Sequence, residues 1–71
     1  MPLYKLINVL NQTLDLRIYT VDYECQDMDL FVGSVGVARE CFPGTAYDVI
    51  HVHLNDQVLE ILVELRRKSY A

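Results

Sequence analysis

Residues 47–66 alternate between apolar and polar side chains in the manner of a β-hairpin, and this pattern constrains the fold more than any other feature of the chain. A tight turn at Asp56 and Gln57 places Leu54 opposite Leu59 and His53 opposite Glu60. Successive side chains of a strand point to opposite faces of a sheet, so a slip of one residue would mix the two sets. The pattern therefore predicts both the hairpin and its register.

The predicted register divides the hairpin into an apolar face and a mixed face. The apolar face comprises Ile50, Val52, Leu54, Leu59, Ile61, Val63 and Leu65. The mixed face comprises Val49, His51, His53, Asn55, Val58, Glu60, Leu62 and Glu64. Such a division is typical of a sheet with one buried side.

The rest of the chain also favours strands. Residues 3–10 and 14–23 are predicted to form a first hairpin turning at Asn11 and Gln12, with Ile7 opposite Leu16. Glycines within residues 30–37 indicate a curled strand. A single helical turn at 37–42 is an open alternative to coil. We expect an all-β single domain, residues 1–71, with five mostly antiparallel strands near 3–10, 14–23, 30–37, 47–54 and 58–66 in a curled, barrel- or sandwich-like meander.

Hydrophobic residues make up 52% of this 71-residue chain, which is a high share for a body with so small an interior. The surplus predicts an exposed apolar patch and hence a homo-oligomer, a dimer by preference, or a foreign protein partner. The alternative is that single apolar residues are scattered over the surface, as is common. The candidate partner-binding residues are Tyr4, Leu6, Arg17, Tyr19, Tyr23 and Leu62. The same aromatic face would instead be interior if the sheet closed into a barrel.

His51 and His53 form an H-x-H pair on a predicted strand, which directs both imidazoles to one side. The register adds Glu60 opposite His53, with Glu64 diagonally beyond His51. Two imidazoles and a carboxylate are ligands that suit zinc or a similar divalent ion. The alternative is an ordinary cross-strand pair of charges on a solvated face.

The charge balance is acidic, with ten Asp plus Glu against six Lys plus Arg and a net charge of −4. This balance argues against nucleic-acid binding, which needs clustered cations. It leaves open an acidic inhibitor that mimics nucleic acid. The loop carboxylates suit calcium by chemistry but lack the spacing and the glycine of an EF-hand, so a solvated connection is the competing interpretation. These carboxylates are Asp22, Glu24, Asp27 and Asp29.

No catalytic, cofactor or targeting motif stands out. The serines lack a nucleophile elbow, and no phosphate-binding glycine motif is present. Cys25 and Cys41 are expected to be reduced, partly buried thiols. With no secretory signal and no apolar run of about 20 residues, the chain is expected in the cytoplasm, of a bacterium or of a virus-infected cell, without membrane contact. We expect an interaction module rather than an enzyme, with no cofactor.

Overall fold

In the part of the chain that the structure describes, the fold is one four-stranded sheet with two short helices on one face. The computed structural model describes residues 1–44 and 46–65. The elements in chain order are α1 (Leu3–Ile7), β1 (Asp15–Val21), β2 (Asp27–Ser34), α2 (Val35–Cys41), β3 (Tyr47–Asn55) and β4 (Val58–Leu65).

The strand order across the sheet is β2-β1-β4-β3. The two hairpins β1–β2 and β3–β4 are antiparallel, and they join through a parallel pairing of β1 with β4 in the centre. The chain passes from one edge of the sheet to the other through α2. The sheet formed by the described residues is open, so the expected barrel- or sandwich-like meander is wrong, as is the fifth strand.

The core lies between the helices and one face of the two central strands. Each central strand contributes two fully buried side chains and each helix two more, at 0–1% exposure. These residues are Leu3, Ile7, Leu16, Ile18, Val35, Ala38, Ile61 and Val63. The sheet face that carries Leu16, Ile18, Ile61 and Val63 is called the helix face below, and the opposite one the open face.

The C-terminal hairpin is confirmed around its turn. Leu54 lies opposite Leu59 and His53 opposite Glu60, as the alternation predicts. Asp56 and Gln57 both have positive φ, 52° and 71°, which is the backbone of a two-residue turn matched to strand twist. The end predicted at residue 66 lies outside the described residues.

A β-bulge changes the other end of this hairpin. The register shifts between Val49 and His51, so Val49 rather than Ile50 lies opposite Val63. The extra residue places Val49 on the helix face and leaves Ile50 exposed. The expected assignment of Val49 to the mixed face and Ile50 to the apolar face is therefore wrong.

Residues 3–7 form a helix, not the predicted first strand, so the hairpin at Asn11 and Gln12 is also wrong. Leu3 and Ile7 are four positions apart, and this spacing brings both onto one side of a helix, where they are buried. Asn11 instead stabilises a local turn, in which its side-chain Oδ1 accepts a hydrogen bond from the Thr13 backbone N–H at 3.0 Å.

β2 begins and ends three residues earlier than predicted, and α2 replaces its expected end. Ser34 begins the helix, with its Oγ accepting from the Val37 N–H at 3.4 Å. The helix has seven residues and begins before the single turn that the sequence offers as an alternative at 37–42. Gly33 accommodates the ring of Phe31, since a Cβ at Gly33 would lie 2.9 Å from the Phe31 Cζ. Gly36 lies in α2 and not in a strand.

Arg39 ties α2 to the C-terminal end of α1. Its Nε donates to the Ile7 carbonyl at 3.1 Å, and its Nη2 donates to the carbonyls of Leu10 at 2.6 Å and Asn8 at 3.4 Å. Carbonyls at the end of a helix lack intrahelical donors. The Arg39 guanidinium therefore supplies hydrogen-bond donors to carbonyls that a five-residue helix leaves without them.

We expect Arg39→Met to lower the free energy of unfolding by about 1–3 kcal/mol, because partly buried carbonyls lose a charged donor. Lys5→Met, on the exposed side of α1, is the matched control, and its effect should stay within about 0.5 kcal/mol. Urea denaturation followed by circular dichroism measures both. Equal losses in the two variants would contradict this role of Arg39.

Candidate interaction surfaces

The open face of the sheet collects most of the acidic residues. By strand alternation and register, six of the ten carboxylates lie on this face with a single guanidinium, for a local balance of −5 when both histidines are neutral. The carboxylates are Asp15, Asp27, Asp29, Asp48, Glu60 and Glu64. No helix among the described residues packs on this side.

Arg17 is the cation at the centre of the open face. Its Nε donates to Asp29 Oδ1 at 2.7 Å and its Nη1 to Glu60 Oε2 at 3.2 Å, while Nη2 lies 3.8 Å from Asp27 Oδ2. The guanidinium carbon stands 4.4 Å from the centre of the Tyr19 ring. This geometry joins three strands, because Asp29 is on β2, Arg17 on β1 and Glu60 on β4.

The hydrogen bond that Arg17 donates to Asp29 is the largest cause that raises the pKa of Arg17 above its usual value, and the negative charges of Asp29 and Glu60 add to it. A raised pKa means that the folded state favours the charged form. The stabilisation that Arg17 contributes is therefore complete below the pKa that Arg17 has in the unfolded chain. It is lost only when the pH rises past the raised pKa of the folded state. It is therefore constant across the neutral range.

The predicted partner-binding residues divide into two groups. Arg17, Tyr19 and Leu62 lie together on the open face, with Tyr19 directly beside Leu62 across the β1–β4 pairing. Tyr4 and Leu6 lie on α1, on the other side of the sheet, where Leu6 packs against the core. Tyr23 is fully exposed in the turn between β1 and β2, so these three are separate from the open-face group.

The predicted metal residues share the open face but spread over it. His53 lies opposite Glu60 and His51 opposite Leu62, as the alternation predicts, whereas the bulge pairs Glu64 with Asp48. Within residues 1–44 and 46–65, no three His, Cys, Asp or Glu side chains are grouped so as to hold a metal ion. A metal site within one chain stays a prediction.

The acidic loop has structural partners of its own. Asp22 Oδ1 accepts from the backbone N–H groups of Glu24 at 2.9 Å and Gln26 at 3.0 Å, which closes the turn between β1 and β2. Asp27 and Asp29 belong to β2 and face Arg17. Cys25 and Cys41 are free thiols, and both are exposed rather than partly buried.

The outer edge of β3 is a second surface, which the sequence pattern did not indicate. Met1 and Pro2 cover its beginning, through a bridge from Pro2 to Asp48 and a 2.8 Å hydrogen bond from the Val49 N–H to the Met1 carbonyl. Beyond Val49, every residue from 50 to 55 is exposed, and no strand in the described part of the chain pairs with this edge. We call residues 50–55 the free edge.

The side chains of the free edge are three aliphatic residues, two histidines and an asparagine. The alternation assigns Val52 and Leu54 to the apolar face of the hairpin. They do lie on the helix face, yet they are 40% and 64% exposed because the helices cover the central strands rather than this edge. No Lys, Arg, Pro or acidic residue interrupts residues 50–55. Charges and prolines are the usual protection of an edge strand.

The opposite edge, β2, carries such protection. Asp27 and Asp29 lie on it, and a bulge shifts its register opposite Ile18 and Tyr19. Both features discourage pairing with another strand. The two edges of the sheet therefore differ in their capacity for association.

Comparison with family models, curated proteins and solved structures gives no match to this chain. None of the described helices is long and apolar enough to cross a membrane.

We expect Arg17→Met to lower the free energy of unfolding by about 1 kcal/mol at low salt, because three carboxylates of the open face lose their shared cation. Arg17→Lys keeps the charge but not the fork of donors, so its loss should be smaller. Denaturation with urea, with and without about 1 M NaCl, measures both, since salt screens the repulsion that Arg17→Met exposes. A loss in Arg17→Met that salt leaves unchanged would contradict the electrostatic explanation.

Proposed function

We propose that this protein is a small interaction module that assembles with a second copy of itself through the free edge of β3, in the cytoplasm of a bacterium or of a phage-infected cell. The observation that carries the proposal is the uncharged, exposed run of residues 50–55 at one edge of the sheet. An unpaired strand presents backbone donors and acceptors to another chain.

A second copy of the same strand is the partner whose edge is complementary to this one by symmetry. Antiparallel pairing of two identical edges about a two-fold axis is self-complementary, and two-fold dimers are the commonest oligomers. Val52 and Leu54 would extend the helix face of one copy toward that of the other, which covers apolar surface that is exposed in one chain. The charged edge β2 would remain outermost, so assembly would end at the dimer.

Val52→Lys should convert the dimer to a monomer, because it places a charge at the middle of the free edge. Val32→Lys on β2 is the matched control: it makes the same change at a residue that is 67% exposed on the other edge, and it should leave the dimer intact. Light scattering over a concentration series reports the mass, and circular dichroism confirms that each variant is folded. A dimer that survives Val52→Lys and dissociates in Val32→Lys would reverse the assignment of the edge.

The open face supports a second candidate function, an acidic inhibitor that occupies the nucleic-acid site of a basic protein. Its support is the concentration of six carboxylates on one uncovered side of the sheet. Complementary charge speeds and orients association with a partner of opposite sign.

The test removes two negative charges from the open face and, separately, two from elsewhere. Asp15→Asn with Glu64→Gln should weaken capture of a basic nucleic-acid-binding protein several-fold, whereas Glu24→Gln with Asp56→Asn should not. Duplex DNA should compete, and about 0.5 M NaCl should release the partner because salt screens exposed charges. Salt should instead strengthen the self-association of this acidic chain, because it screens the repulsion between two negatively charged copies. Capture that neither DNA nor salt reduces would contradict the inhibitor.

A further inference from the structure

We propose that the dimer holds one divalent metal ion between the two chains, bound by His51 and His53 of each copy. The inference rests on the proposed pairing of the free edges. Each chain contributes an incomplete pair of ligands, which agrees with the finding that no group of three metal-binding side chains exists within the described part of one chain.

The free edge limits the possible registers. It begins after Val49, whose N–H is already bonded to Met1, and it ends at the turn that starts with Asp56. A two-fold axis perpendicular to the sheet keeps both open faces on the same side, so it must pass through a residue that pairs with its own copy. The centre of the edge is Val52 or His53. An axis at Val52 pairs residues 50–54 with each other and leaves Asn55 beside Val49 of the second copy, whereas an axis at His53 pairs residues 51–55 and leaves Ile50 beside Asp56 of the turn.

The register centred on Val52 places histidine opposite histidine twice. His51 then lies beside His53 of the second copy, and His53 beside His51 of that copy. Directly opposite residues have Cβ atoms about 4.5–5.5 Å apart, and residues i and i+2 of a strand are about 6.6 Å apart. Both histidines face the open side in the structure, since they lie opposite Leu62 and Glu60. Four imidazoles therefore surround one point above the axis.

Four neutral imidazoles suit zinc or another late divalent transition metal, with metal–nitrogen distances of about 2.0–2.1 Å. Calcium and magnesium prefer oxygen ligands, so they are poor candidates. Glu60 lies directly opposite His53 and is mostly covered, with 19% of its side chain exposed. A carboxylate in that position can accept the second ring N–H of a metal-bound histidine and orient it.

The metal also accounts for specificity in an interface that is otherwise small. Five paired residues at one strand edge bury far less than the roughly 1,200–2,000 Å² of a standard stable interface. Two chains that each carry a net charge of −4 also repel one another. A divalent cation at the axis opposes this repulsion and selects the Val52 register, because the His53 register brings only the two His53 side chains together and places each His51 opposite Asn55 of the other copy.

The test uses the full chain with Cys25→Ser and Cys41→Ser, since both thiols are exposed and thiolates are metal ligands that would compete for zinc. Zn²⁺ is titrated by calorimetry, and the dimer dissociation constant is measured by sedimentation in chelator and in zinc. We expect one zinc per two chains. Zinc at ten times its own dissociation constant should tighten the dimer roughly tenfold, because an ion that binds only the dimer shifts the equilibrium by mass action.

His51→Ala and His53→Ala, singly, should each abolish the tightening by zinc and leave the weak dimer in chelator unchanged. Asn55→Ala is the matched control on the same edge and should keep the zinc response. Retained tightening in either histidine variant, or one zinc per chain without assembly, would overturn the shared site. A dimer that ignores zinc would overturn the metal alone and leave the β3 pairing in place. A chain that stays monomeric in chelator and in zinc would overturn both proposals.

Discussion

The parallel pairing of β1 with β4 is the constraint on which the rest of the structure depends. It brings Leu16 beside Leu59 and Ile18 beside Ile61, so the two hairpins share one buried face. Two short helices suffice to cover that face because only the two central strands supply fully buried residues. The pairing also determines which strands are edges: β2 and β3 are outermost because β1 and β4 are used in the centre. The exposure of the β3 edge thus follows from the way the core is built.

Local features of the fold were predictable from the sequence, and non-local ones were not. The β3–β4 turn and the register beside it follow from alternation and from a two-residue connection, which involve neighbours along the chain. The bulge at Ile50 adds one residue with no signature in the pattern. The parallel pairing joins residues more than forty positions apart, such as Arg17 and Glu60, and the alternation of each strand is equally compatible with an antiparallel meander.

The first helix shows how a short apolar segment misleads. Residues 3–7 contain too few positions to separate a period of two from a period of 3.6, so the choice depends on what the segment packs against. Arg39 contacts the carbonyls at the end of α1 from a helix 29–32 residues away, and it completes a helix that would be marginal in isolation. Tertiary contact decided the conformation here, and for this reason Tyr4 and Leu6 are remote from the Arg17–Tyr19–Leu62 group.

The open face and the free edge meet at His51 and His53, and the two surfaces have opposite effects on association with a second copy. Carboxylates concentrated on the open face repel a second copy, while the free edge presents unpaired backbone groups with which a second copy can pair. Arg17 offsets part of the repulsion, yet it is committed to Asp29 and Glu60 by bonds of 2.7 Å and 3.2 Å and lies two strands from the edge. Closer to the edge, the histidines are the side chains of β3 that can hold or recruit positive charge. In the proposed dimer, the H-x-H sequence of β3 therefore places metal-binding groups where two acidic surfaces meet, so that a bound cation would strengthen the pairing.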